Sequence, residues 1–144
     1  MKIRWAALAI LALALPPALE QRTSAQQTTT IWDGVYTAGQ ATRAQEFYLQ
    51  RCGSCHGAGL DGTEIAPGLT DDAFRTKWND KPLGDLFDII RGTMPQDQPG
   101  SLSRQQTADV LALMLSRGGL PAGQTELATQ TDALTAIKFL AKKP

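Results

Sequence analysis

The chain has 144 residues, 42% of them apolar, with 14 basic and 14 acidic side chains that balance to a formal charge of zero. That length suits one compact domain and is short for two. The even balance, with no clustered basic run, gives no footing for nucleic-acid binding, which calls for a concentrated basic surface.

In chain order, Lys2 and Arg4 open the sequence and an apolar run follows from Trp5 to Leu15. The run is too short to span a bilayer and has the layout of an export signal, with small residues for cleavage at Thr23-Ser24-Ala25. The expected division is a signal peptide at 1–25, an N-terminal arm at 26–36, a domain at 37–121 and a C-terminal extension at 122–144. An uncleaved anchor, with Pro16-Pro17 and the polar stretch after it as a tether, is the alternative. Without residues 1–25 the chain keeps 11 basic and 13 acidic side chains.

Thr37-Ala38-Gly39-Gln40 has the spacing of a capping box, and Ala41, Ala44, Tyr48 and Cys52 then recur at helical intervals. Trp32 and Tyr36, just ahead of this helix, are expected to anchor the arm onto the domain. The helix leads into Cys52-Gly53-Ser54-Cys55-His56, which holds both cysteines and the single histidine of the chain. This is the C-x-x-C-H pattern of covalent haem attachment. On a helical turn, residues three and four apart share a face, so two thiols and an imidazole address one flat object. Rival readings fit less well. A disulfide oxidoreductase places its cysteine pair after a strand, zinc needs four ligands, and a plain disulfide leaves His56 without a role.

Gly57-Ala58-Gly59-Leu60-Asp61-Gly62 is too rich in glycine for regular structure and reads as a loop. A short helix is expected from Asp71 to Trp78. Leu83, Leu86, Phe87 and Ile90 then form an amphipathic helix stopped at Gly92. Arg91, near its C-terminus, is expected to be solvated, with pairing to a haem propionate or facing a partner as the alternatives. Met94 follows Gly92-Thr93 and precedes Pro95, so its backbone is extended and its side chain can leave a loop. With one histidine in the chain, a bis-histidine iron is excluded. Met114 sits in the apolar run from Val110 to Leu115 and reads as core. Met94 is the candidate for the second axial ligand, with a filler beneath the loop as the alternative, in which case another weak donor, water or nothing takes the sixth position. Ser103-Arg104-Gln105-Gln106 is a second capping box, opening a helix that ends at Gly118-Gly119. Leu134, Ile137 and Phe139 fit a short helix or a strand. Leu60, Leu69, Phe74, Leu83, Phe87 and Ile90 are candidates for an apolar wall around the haem.

On this motif, methionine loop and helix order, residues 37–119 resemble the class I c-type cytochromes. The resemblance implies an all-α fold packed around one covalent haem c, with His56 and Met94 as axial ligands. It implies that Pro67 lends its carbonyl to the His56 Nδ1–H and that the Trp78 indole N–H meets a haem propionate. It also implies a crossing of the first and last helices, where Tyr48 fits an aromatic position, Ala44 replaces the usual glycine and Leu113 the usual aromatic. A narrower likeness, carried by Ile31 to Thr37, Met94 to Ser103 and the tail, is to bacterial periplasmic cytochromes that accompany dehydrogenases. The expected function is a monomeric periplasmic electron carrier, not itself an enzyme, between a dehydrogenase donor and an oxidase or cytochrome acceptor. A haem enzyme or gas sensor with an open or labile sixth iron position is the alternative. Contact with a membrane is expected only if the N-terminal segment is kept.

Overall fold

The structure, a computed structural model, describes residues 28–144. The expected export signal lies outside the described residues. Among the described residues, six helices are arranged in the order α1 (Ala38–Arg51), α2 (Gly53–His56), α3 (Asp72–Trp78), α4 (Leu83–Thr93), α5 (Arg104–Arg117) and α6 (Thr131–Thr135). Three short strands among these residues, β1 (Thr29–Thr30), β2 (Lys81–Pro82) and β3 (Ile137–Phe139), join segments far apart in sequence. β3 is central, parallel to β1 and antiparallel to β2, with Thr30 opposite Lys138 and Lys81 opposite Phe139. The fold is mostly helical, as the hydrophobic periodicity predicts. The undecided tail supplies both of its options, a helix and then a strand.

α1 and α5 form the most extensive helix pair. Ala41 and Ala44 on α1, and Ala108 and Ala112 on α5, are small and buried; Tyr48 and Leu113, which are larger, are buried too. Small side chains on both helices let the backbones approach, so alanine serves where glycine is usual in the resembling family. Arg43 on α1 reaches both carboxylate oxygens of Asp109 on α5 at 2.8 Å, and its outer nitrogens meet Glu126. These two carboxylates hold the guanidinium well above its ordinary pKa.

The two capping boxes have different outcomes. Ser103 and Gln106 make the reciprocal pair. Thr37 accepts from the Gln40 N–H, but the Gln40 side chain does not return to the cap. It is fully buried and bonds both backbone groups of Leu127, at 3.1 and 2.7 Å. The amide thus satisfies a buried stretch of the C-terminal extension, a stronger demand than an exposed helix end makes.

The N-terminal arm is fastened at several points. The Tyr36 hydroxyl donates to the Leu120 carbonyl at 2.7 Å, and the Trp32 indole N–H donates to the Leu140 carbonyl at 2.9 Å. Gly34 and Gly123 cross with no room for a side chain, and the Gly123 N–H bonds the Tyr36 carbonyl at 2.7 Å. Leu127, Leu134 and Phe139 of the extension are buried in the same core as α4 and α5. α6 packs on α4 across Gly84, where a methyl group would lie 2.5 Å from the Thr135 hydroxyl.

Candidate functional site

α1 breaks at Cys52, whose φ of −128° and ψ of −32° leave the helical region, and α2 begins at the next residue. The N–H groups of Cys55 and His56 both bond the Cys52 carbonyl, at 3.1 and 2.9 Å, closing the turn that the motif requires. Cys52 and Cys55 are free thiols, each half-buried. Burial raises the Cys52 thiol above its ordinary pKa, and the neighbouring Arg51 charge opposes that rise.

The loop after the motif folds back onto it. The Tyr48 hydroxyl donates to the Gly57 carbonyl at 2.9 Å, and the Gly62 N–H bonds the His56 carbonyl at 2.8 Å. Burial, followed by the nearby Cys52 and Asp61, pushes the Tyr48 phenol up to about 12. His56 Nδ1 lies 2.8 Å from the Pro67 carbonyl oxygen. A carbonyl can only accept, so Nδ1 carries the proton and Nε2 keeps its lone pair for a metal. Gly62, at a φ of +85°, makes this contact possible: an added methyl would meet the Gly68 nitrogen at 2.5 Å and the Pro67 carbonyl carbon at 2.9 Å.

α4 runs one residue past its expected stop at Gly92, to Thr93, and Met94 is its C-cap. Met94 is extended, with its N–H bonded to Ile90 at 3.0 Å, and its half-buried side chain packs against the core. The bond to Pro95 is cis. One hydrogen bond missed in the sequence joins the two halves of the site: Arg51, next to Cys52, donates to the Gln98 side chain at 2.8 Å. The Gln98 N–H in turn bonds the Pro95 carbonyl at 2.9 Å. The methionine loop is thereby tied to the end of α1, where the cysteine motif begins.

Trp78 ends α3 and is 4% exposed, tilted against Phe74 with ring centroids 6.2 Å apart. Arg91 departs from expectation, because it is half-buried and its Nε has no hydrogen-bond partner. The candidate apolar wall also divides. Leu60, Leu83, Phe87 and Ile90 are buried by the protein alone, whereas Leu69 and Phe74 are half-buried and line a cavity with Leu86, Leu111 and Leu115. Cys52, His56 and Met94 do not line that cavity. The helical stripe identified the core without showing which side of it a cofactor would take.

Two free thiols and a metal-ready imidazole on one turn, with the imidazole oriented by a backbone carbonyl, fit covalent haem. Among the described residues no three His, Cys, Asp or Glu side chains gather to hold a bare metal ion. No helix among them is long and apolar enough to cross a membrane.

Residues 39–114 match the family model described as cytochrome c oxidase, cbb3-type, subunit III. No curated protein matches the chain. The sulfane dehydrogenase SoxCD from Paracoccus pantotrophus is similar in structure at a TM-score of 0.49 and 22% identity, over 89% of this chain and 68% of that one.

Proposed function

Because the chain belongs to the family of cytochrome c oxidase, cbb3-type, subunit III, and is a class I c-type cytochrome, we propose that it is an exported electron carrier with a single covalent haem c. Electron transfer is the general role that the family supports. The free, periplasmic carrier is the finer reading.

The observation that carries it is the 2.8 Å contact between His56 Nδ1 and the Pro67 carbonyl on the same turn as two free thiols. Haem c, when bound, supplies a one-electron Fe(II)/Fe(III) couple. Cys52 and Cys55 would hold the porphyrin edge by thioether links, and His56 would offer Nε2 to the iron. Pro67 fixes the imidazole plane and raises its donor strength. Met94 would offer a soft sulfur from the C-cap of α4, favouring the reduced state and a high potential. Trp78, beside Phe74, is the candidate donor to a propionate. A carrier in which His56 and Met94 would both keep hold of the iron would reorganise little during electron transfer. The Arg51 to Gln98 tie, which secures the methionine loop, supports that reading over an open sixth position. We further propose that residues 1–25 direct export, that the carrier is monomeric, and that its partners are a dehydrogenase-type donor and a respiratory acceptor.

The test is the processed protein made in cells with haem-ligation machinery. Its intact mass should exceed that of the polypeptide by one haem, and the oxidised form should show the weak far-red sulfur–iron band. Met94→Ala should remove that band and admit carbon monoxide to the reduced protein. Bare polypeptide mass, or prompt carbon monoxide binding by the unaltered protein, would overturn the proposal.

A further inference from the structure

Charge is unevenly distributed in the fold. Every lysine among the described residues, Lys77, Lys81, Lys138, Lys142 and Lys143, falls in two stretches, 77–81 and 138–143. Pairing of β2 with β3 brings these stretches together, with Lys81 opposite Phe139 and Pro82 opposite Lys138. In those stretches the only carboxylate is Asp80, which Lys138 neutralises at 2.7 Å. The other four lysines are exposed and form no ion pair among the described residues. Outside these two stretches the described chain carries six arginines against twelve carboxylates. The molecule therefore has a basic corner on an otherwise acidic body.

The corner is ordered as well as charged. The Lys77 and Lys81 ammonium groups stand 5.9 and 5.4 Å from the centre of the Trp78 ring, whose negative face attracts cations. Beside them runs a recess lined by Thr76, Asn79, Leu140, Ala141 and Lys142. Cations with no internal partner, held in place around a groove, favour a negatively charged surface and speed its approach.

We propose that this corner is the docking face for an acidic surface of a protein redox partner. The proposal rests on the carrier reading, and Lys77, Lys81, Lys142 and Lys143 are its contact residues. The commitment to protein over lipid comes from the body of the molecule: its excess of carboxylates would be repelled by an extended anionic bilayer, whereas a compact acidic patch meets the corner alone.

The test uses the reduced haem-loaded protein, nitrogen-15 labelled, titrated with poly-L-glutamate as the acidic probe at low salt. Amide shifts should be confined to residues 76–82 and 137–143, saturate, and vanish at about 0.3 M salt, where the Debye length is well below 10 Å. The variant K77E/K81E/K142E/K143E should bind at least tenfold more weakly, with its absorption spectrum unchanged. If it fails to fold, K142E/K143E, outside every helix and strand, should still weaken binding severalfold. Shifts centred on Leu49, Gly53 and Ile65 would overturn the proposal, as would tighter binding to phosphatidylglycerol vesicles or salt-sensitive dimers of the protein alone. The sulfur–iron band and carbon monoxide test are independent of these measurements, so failure of the docking face leaves the carrier reading standing, and the reverse is separately visible.

Discussion

Gly62 and Gly119 provide a paired test of how the loop orients His56. Both have positive φ, +85° and +75°, so alanine at either pays a left-handed backbone penalty of about 1 kcal/mol. At Gly119 a methyl group meets nothing within 4 Å, and that penalty is the whole effect. At Gly62 the methyl would lie 2.5 Å from the Gly68 nitrogen and 2.9 Å from the Pro67 carbonyl carbon. Restoring ordinary contact requires the Pro67-Gly68 peptide to retreat by roughly half an ångström or more, with an overpacking cost of about 1–3 kcal/mol. The same retreat stretches the 2.8 Å His56 contact towards the limit of a useful hydrogen bond. Gly62→Ala should therefore lose about 2–4 kcal/mol in urea denaturation, and Gly119→Ala about 1. Only Gly62→Ala should raise the midpoint potential of the haem-loaded protein, because a less strongly donating imidazole stabilises Fe(III) less. Equal destabilisation of the two variants, or an unmoved potential in Gly62→Ala, would refute the argument.

Gln40→Ala should cost about 2–4 kcal/mol, since it leaves the buried N–H and carbonyl of Leu127 unpaired. Gln40→Glu should be destabilising too, as its carboxylate cannot donate to that carbonyl; urea denaturation measures both. The raised Tyr48 phenol favours its neutral form in the folded state. Its contribution to stability is complete below pH 10 and is lost as pH rises through about 12. Tyr48→Phe should flatten the loss of stability across that window, as followed by circular dichroism. Arg51→Ala should release the Gln98 side chain; amide exchange in residues 95–100 should quicken while exchange in α5 stays unchanged.

The parts of this molecule legible in its sequence are those in which neighbours along the chain make the structure. The turn from Cys52 to His56, the short helix α3, the stripe of α4 and the Ser103 box all depend on spacings of three or four residues. The same rule explains the failures. Gln40 has capping-box spacing, but its partner is 87 residues away. Arg91 looks like a solvated helix end, and only tertiary packing buries its Nε. The lysines are unremarkable in two stretches more than fifty residues apart until a two-residue strand pairing unites them.

The extension also bears on the site through α4. Met94 is placed by the C-terminus of that helix, and the helix is held from outside the cysteine motif by α6, which lies against Gly84. Gly84 is buried at normal helical φ, so alanine there adds no backbone penalty and would even favour the helix by about 1 kcal/mol in the absence of a neighbour. Its methyl would instead stand 2.5 Å from the Thr135 hydroxyl and 2.9 Å from the Thr131 carbonyl, which belong to α6. The hydroxyl is the end of a rotatable side chain and can turn away, but the carbonyl is backbone, so α6 as a whole must move. Gly84→Ala should therefore destabilise the protein despite its better helix propensity, and amide exchange should quicken in 130–139 and at the α4 terminus near Met94. If exchange changes in α6 alone, the extension is a separate covering and does not support the methionine loop.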